Sequence, residues 1–483
     1  MGKNSLVKWG RGFVTDRLCR ILQVNGSDLS GGAQRVVWTL FQAYRARGYT
    51  SRLAVGYKES DDPDVFTVPK GTEQWWSRLY WVLHSRLQSL DGNGRLSRLA
   101  RELAHPGALL EKYRGIENFC FPGTWRLLGM FPRPPDIVHC HNLHEEYFDL
   151  RALPWVSHHV PTVLTLHDAW LLSGHCAHSL DCERWKIGCG KCPDLTLYPP
   201  VRRDATAHNW KRKRDIMAQS RLYVATPSQW LMNKVRQSIL GRAVAESRVI
   251  PNGVDLKVFR QADKRAARAA LRIAPHAKVL LFAANRIQRH VWKDFDTVRA
   301  AVMELSRRLQ VEQVLFIGLG ESGLAEPWGD IEVCFVPYQK DPKVIAGYYQ
   351  AADVYVHAAR AEVWGLAITE ALACGTPVVA TAVGGIPEQV KSLGHRVKAT
   401  GVPTCGLEEA TGLLVAQGDA EGMAAGLEQL VTDEPLRQHL ASNAARDACK
   451  RFSLERQVEE YLGWYREILN EPGRQCPSSS VVP

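Results

Sequence analysis

No run in this 483-residue sequence approaches the roughly 18 continuous apolar residues of a membrane-spanning helix, and the opening MGKNSLVKWGRGF has no apolar stretch of signal-peptide kind. Two phosphate-binding fingerprints are missing as well. SGGAQR (30–35) is not GxGxxG, and the Lys-Ser/Thr ending of a P-loop is absent. No repeat of solenoid type is present. Acidic charge is in deficit, with 50 Asp and Glu against 61 Lys and Arg, a formal net charge of +11. Disorder throughout is excluded, because apolar residues make up 45% of the chain and charged residues only 23%. Cysteine is not scarce, at twelve, but a disulfide scaffold would be short; here four cysteines crowd into residues 176–192 and the others are scattered. At roughly 150 residues per domain, the length suggests about three domains or two large ones.

What is present is alternation. ILQVN (21–25) runs into SGGAQR and then into VVWTLFQAYRARG, which reads as strand, glycine loop and helix. RLAVG (52–56), DIVHC (136–140), TVLTLH (162–167) and RLYVATP (221–227) continue one α/β sheet. Between them, residues 72–130 carry Trp75, Trp76, Tyr80 and Trp81 amid Arg and Leu, a pattern of helices inserted over that sheet. A second series follows the turn at PNGVD (251–255): KVLLFAA (278–284), QVLFIG (313–318), IEVCFV (331–336), DVYVHA (353–358) and PVVAT (377–381). Strands separated by helix-length patterns predict a second parallel sheet, with ligands at the carboxyl ends of the strands and therefore between the two sheets. SLERQVEEYLGWYREIL (453–469) predicts an amphipathic helix, and the tail at 471–483 is expected to be flexible.

Several residues at those strand ends carry usable chemistry. Gly31 and Gly32 would let backbone amides approach a phosphate. Glu362 and Glu370 stand eight residues apart across a transition into a helix, where the amides of Gly365 and Leu366 suit phosphate oxygens. Arg286 and Lys293 follow a strand and are placed to neutralise a departing diphosphate. His167 and Asp168 end another strand, with His139 and His141 at the end of its neighbour. Of the three histidines His167 is the better candidate, as a neutral donor to sugar hydroxyls.

Together these residues resemble a retaining glycosyltransferase of the large family 4, with two facing Rossmann-like, doubly wound domains of GT-B type and an interdomain cleft. The resemblance covers roughly residues 20–470. It rests on the Glu362 to Glu370 segment with ALACGTPVVA, on SGGAQRV, on His167 with Asp168, on PSQWL (227–231) and on PNGVD. It implies an acceptor-side domain at 20–252, with a helical insertion at 72–130 and a cysteine-rich insertion at 173–200. It implies a nucleotide-sugar-binding domain at 253–452 and a helix at 453–470 packing back across both, after an N-terminal extension at 1–19. By the same resemblance Glu370 binds the donor ribose, Glu362 contacts the transferred sugar, Arg286 and Lys293 hold the diphosphate, Gly32 approaches it from the first domain, and His167 meets the donor sugar. The pattern departs at QRHVWKDF (288–295), where Asp294 stands in place of the family's usual glycine after the lysine. The implied enzyme is cytoplasmic, peripheral at most, and moves a sugar from a nucleoside diphosphate donor to an acceptor hydroxyl. It has no catalytic cofactor, and no Asp-x-Asp motif beside the donor pocket suggests a catalytic metal.

Cys176, Cys182, Cys189 and Cys192, with gaps of five, six and two residues, form a second candidate site. Structural zinc leads; disulfides, an iron–sulfur cluster and free thiols are the alternatives, and His175 and His178 are reserve ligands. HDAWLLSGHC, CERW and YPP (198–200) are similar to a cysteine-bearing subgroup of bacterial polysaccharide glycosyltransferases, which implies capsule, exopolysaccharide or O-antigen assembly on a glycan or polyprenyl diphosphate-linked acceptor. Residues 201–248 hold eleven Lys or Arg against three Asp or Glu. That excess fits an anionic membrane surface or a diphosphate acceptor better than nucleic acid, for which finger spacing and a recognition helix are missing. A nucleotide-sugar epimerase or sugar phosphorylase on the same scaffold is the runner-up, and a zinc-containing nucleic-acid-binding protein the remote alternative.

Overall fold

The computed structural model describes residues 19–29, 31–69, 106–131, 133–309, 313–323, 327–394 and 401–471. The N-terminal extension up to residue 18, the insertion residues Trp75, Trp76, Tyr80 and Trp81, and the tail from 472 lie outside them.

The first sheet contains β1 (Arg20–Ser27), β2 (Thr50–Tyr57), β3 (Val65–Thr67), β4 (Ile137–Cys140), β5 (Thr162–Thr165), β6 (Leu222–Thr226) and β7 (Val244–Val249). They lie in the order β3-β2-β1-β4-β5-β6-β7, every pair parallel. β1, β4, β5 and β6 are almost wholly buried, as strands covered by helices on both faces must be. The second sheet contains β8 (Lys278–Ala283), β9 (Val314–Leu319), β10 (Glu332–Val336), β11 (Val354–His357), β12 (Val378–Thr381), β13 (Ser392–Leu393), β14 (Thr404–Cys405) and β15 (Gly412–Val415). Their order is β10-β9-β8-β11-β12-β15-β13-β14, again parallel. Strand order reverses beside β1 in one sheet and beside β8 in the other, and such switch points open a crevice at the strands' carboxyl ends. The two Rossmann-like domains and their cleft are the GT-B architecture.

Ten strands fall where apolar runs predict them. β7 escapes detection because VAESRV is a half-exposed edge strand, and β13 and β14 because two residues carry no period. The chain crosses between sheets after β7 and returns at Val254, whose amide and carbonyl bond Phe452 and Leu454. The helix Leu454–Leu469 then packs on the first sheet. Val458, Tyr461, Leu462, Trp464, Tyr465 and Ile468 join Ile21, Tyr44, Val163 and Tyr223 in one core, with Trp464 fully buried. A buried apolar side chain contributes roughly 1.5–3 kcal/mol, so this helix is an integral part of the first domain's core although its sequence comes last. Among the described residues no helix is long and apolar enough to cross a membrane.

Candidate functional site

A cleft of about 600 Å³ opens between the sheets. Gly31, Gly32, His167, Arg286, Lys293, Glu362, Gly365, Leu366 and Glu370, spread over 340 positions of sequence, all line it.

On the first domain, Gly31 has φ 118°, a conformation closed to side chains, and precedes the helix Gly32–Ala46, whose start has no side-chain cap. A Cβ at Gly32 would meet nothing within 4 Å, so the helix start faces open cleft. One turn in, Arg35 reaches across: its Nη2 lies 2.5 Å from Oε1 of Glu370, while the Tyr349 hydroxyl donates to Oε2 at 3.1 Å. Glu370 is 2% exposed. Its charge raises the Arg35 guanidinium further above the ordinary value.

On the second domain, Lys293 is pinned by a bridge to Ala359 and by the flanking bonds Asp294 N–H to Ala358 and Arg360 N–H to Trp292. Its ammonium donates to Glu362 Oε2 at 2.5 Å and to His357 Nε2 at 3.1 Å. Since Nε2 accepts, His357 carries its proton on Nδ1 and donates to the Tyr355 hydroxyl at 3.1 Å. Burial, then the Lys293 charge, pushes His357 down to about 4. Burial opposes ionisation of Glu362, but the Lys293 ammonium beside it outweighs that and holds the carboxyl well below its usual range. Asp294 has φ −106°, so the position needs no glycine, and its carboxylate accepts from Thr297. Arg286 differs from Lys293. It sits at φ 55° with its amide bonded to Gly320, and among the described residues its guanidinium makes no ion pair. A cation held in an uncommon backbone conformation and pointed at a cleft is available to an anion.

Gly365 corrects one expectation. Its amide donates to Gln389 Oε1 at 2.9 Å, so it is not available to phosphate, and Leu366 keeps the only amide of the pair without such a tie. Gly384 and Gly385 are required by packing, because a Cβ would fall about 2 Å from the carbonyls of Glu362 and Val363. Asp168 turns away from the cleft, bonding His144 at 2.7 Å and the Trp170 amide at 2.9 Å. His167 bonds His141.

The cysteine-rich insertion reaches the cleft through His178 and Tyr198, and His178 meets Trp292 of the other domain at 4.6 Å between centroids. The tight turn at Gly188 to Lys191 has positive φ throughout. Cys189 accepts from the Gly174 amide, and Cys192 contacts His175. Yet among the described residues no group of three or more His, Cys, Asp or Glu is arranged to hold a metal, and all described cysteines are free thiols. Nor is the basic stretch a continuous exposed patch: Lys213 is fully buried against Glu117 and the Trp170 ring, and Arg212 lies over Phe119.

Sequence reasoning missed Arg35, His178, Tyr198, Asn252, His290, Trp292 and Tyr349 in the lining, and His357 behind it. Arg35 and His357 had a signal, the one closing SGGAQR (30–35) and the other lying within DVYVHA (353–358).

Two families match the chain in sequence: "Glycosyltransferase Family 4" over residues 30–258 and "Glycosyl transferases group 1" over 263–447. A D-inositol 3-phosphate glycosyltransferase of Saccharomonospora viridis is 35% identical over 46% of this chain and 50% of its own length. The chain thus spans only about half of that relative. A putative colanic acid biosynthesis glycosyl transferase, WcaC of Escherichia coli, is 26% identical over 93% of this chain and 100% of its own. Among solved structures, Anabaena Alr3699/HepE in complex with UDP-glucose superposes with a TM-score of 0.56 at 18% identity, covering 92% of this chain and all of that one.

Proposed function

This chain belongs to the family 4 glycosyltransferases of GT-B type, and from that membership we propose that it is a retaining enzyme of bacterial surface-polysaccharide assembly. It takes a sugar from a nucleoside diphosphate donor on the second domain and passes it to a hydroxyl of a glycan or polyprenyl diphosphate-linked acceptor on the first. One observation carries the reading. Three cations, two carboxylates, three histidines and two helix starts, drawn from both sheets, meet in a single cleft.

The division of labour follows from chemistry. Arg286, Lys293 and the Leu366 amide meet the charge that grows on the diphosphate as it departs. Glu370 takes the ribose, Glu362 the transferred sugar, and His167 a sugar oxygen near the reacting carbon. The bond from the anomeric carbon to the diphosphate breaks, and the acceptor oxygen bonds the same face. The acceptor's proton passes to the departing diphosphate, so no covalent nucleophile is needed. The protein contributes orientation and fixed positive charge, which the two side chains supply without calling on a metal. A lipid-linked acceptor would bring the enzyme to the inner face of the cytoplasmic membrane, where exposed Arg202 and Lys211 would face anionic lipid. The WcaC likeness supports the polysaccharide assignment, and the UDP-glucose complex of the structural neighbour supports a nucleoside diphosphate sugar.

The test is a binding screen of UDP-, GDP-, ADP- and dTDP-sugars, followed by transfer assays with lipid-linked acceptors and NMR of the product's anomeric centre. Acceptor-dependent release of nucleoside diphosphate with retained configuration is expected. Donor conversion without acceptor, phosphate-dependent cleavage, or inversion would overturn it.

A further inference from the structure

His139 and His141 project from the end of β4 on one face, two residues apart, and His167 follows β5 beside them. The three rings form a row running inward from the cleft. His167 and His141 lie nearly parallel with centroids 5.3 Å apart, and His141 and His139 are tilted with centroids 4.1 Å apart. His141 Nδ1 lies 3.0 Å from His167 Nε2, so one of the two nitrogens carries the proton between them.

The far side of His141 decides which. Its Nε2 is buried and has no partner, in a residue only 1% exposed. If His141 accepted at Nδ1, its proton would sit on Nε2 as a sealed and unpaired N–H. If it donates from Nδ1, Nε2 is an unpaired lone pair instead. Buried N–H groups without an acceptor are the rarer and costlier defect. The proton therefore belongs to His141 Nδ1, and His167 Nε2 accepts it. A neutral His167 must then carry its own proton on Nδ1, the ring nitrogen left for the cleft that His167 lines.

We propose that His141 is a positioning residue that fixes His167 as the Nδ1–H tautomer, so that a donor-sugar oxygen meets an N–H there and not a lone pair. The proposal rests on the reading that His167 meets the donor sugar. The brace behind His141 joins β5 to the C-terminal helix. His139 is clamped by Thr165 Oγ1 at 2.7 Å and the Tyr465 hydroxyl at 2.6 Å, and its ring lies 4.9 Å from that of Tyr461. Tyr461 and Tyr465 belong to the C-terminal helix, so that helix supports the row from below. Burial keeps the rings neutral, pushing His139 down to about 3 and His167 to about 4.

The experiment is long-range ¹H–¹⁵N correlation of histidine-labelled, otherwise deuterated protein, with His167 assigned through His167→Asn. Wild type is expected to show His167 protonated at Nδ1 and bare at Nε2. His141→Leu should mix the tautomers and lower turnover roughly 10- to 100-fold, the range for removing a group that orients a site imidazole, with donor KM little changed. His141→Asn, whose amide can donate from nearly the same place, should restore both the single tautomer and most of the turnover. A wild-type His167 protonated at Nε2, or a tautomer unaltered in His141→Leu, would overturn the proposal. Full turnover in His167→Ala would sink the sugar-contact reading instead, leaving the tautomer result to stand separately.

Discussion

Arg35 Nη2 lies 2.5 Å from Glu370 Oε1, and this bond joins the first turn of a helix on the first sheet to a buried carboxylate on the second. With Tyr349 on the other oxygen, both acceptor atoms of Glu370 are engaged before any ligand arrives. A ribose that uses Glu370 must therefore share these oxygens with Arg35 and Tyr349, through the lone pairs their bonds leave free. Arg35→Ala is expected to destabilise the fold by about 1–3 kcal/mol, because it leaves a buried acceptor short of its donor. A double-mutant cycle with Glu370→Gln, followed by chemical denaturation, should give a coupling energy of that order. Additive losses would show that the pair does not hold the domains together.

Lys293 joins two functions that its replacement would separate. Its ammonium neutralises the cleft and also keeps Glu362 ionised and His357 an acceptor. Lys293→Ala should lower acceptor-dependent turnover by about 10²–10³, the usual loss when a charge-stabilising donor is removed. Glu362, buried and without its cation, should titrate at a higher pH than in the wild type. Unchanged donor turnover in a folded variant would remove Lys293 from the site.

How much of this was legible in the sequence depends on whether a residue's role is local. The apolar runs locate β1, β4, β5, β8 and β11 because buried parallel strands are continuously apolar, and the cleft follows from their carboxyl ends. Glu362, Lys293 and Arg286 line the cleft because each follows such a run at the carboxyl end of its strand. Gly365 was misjudged because the acceptor of its amide, Gln389, is 24 residues away. Arg35 was passed over because its partner is 335 residues away, and no periodicity connects the two. Lys213 read as one unit of a basic patch because burial beneath Glu117 and Trp170 leaves no trace in KRKR.

Acid should destabilise the protein well above the carboxylate range. Burial, then Lys293, holds His357 down to about 4, and burial, then His167, holds His139 down to about 3; both are 0% exposed. In the unfolded chain each binds its proton near pH 6.5. Between that value and the folded one the unfolded state holds more protons, so stability falls as pH falls. Each contribution is complete above about pH 6.5 and is lost toward pH 4 and 3 respectively, at about 1.4 kcal/mol per unit per histidine. Denaturation midpoints should be level above neutrality and drop steeply below pH 6.5, with proton uptake on unfolding by calorimetry in two buffers. A midpoint constant down to pH 5 would contradict buried neutral imidazoles.

Glu388 supplies another tie between the domains, outside the lining of the cleft. From a short helix of the second domain, its carboxylate accepts the amides of Gln229 at 2.6 Å and Trp230 at 2.7 Å, the first residues of helix Gln229–Arg236 on the first domain. Ser228 caps the same helix through Leu231, so Glu388 satisfies amides the local cap leaves open. The charge also complements the positive end of the helix. Arg451 bonds the carbonyls of Glu388 and Gln389, tying this contact to the return point of the chain. Glu388→Ala should cost about 0.5–2 kcal/mol, the usual loss for a capping carboxylate. Because the cap spans two domains, that loss should fall on their closed arrangement. Small-angle scattering should report a larger radius of gyration for Glu388→Ala, and proteolysis should be faster near the crossover at residues 250–254. Glu388→Gln, which keeps one acceptor, should lie between the two. A variant as compact and as protease-resistant as wild type would show that the closed domains do not depend on this cap.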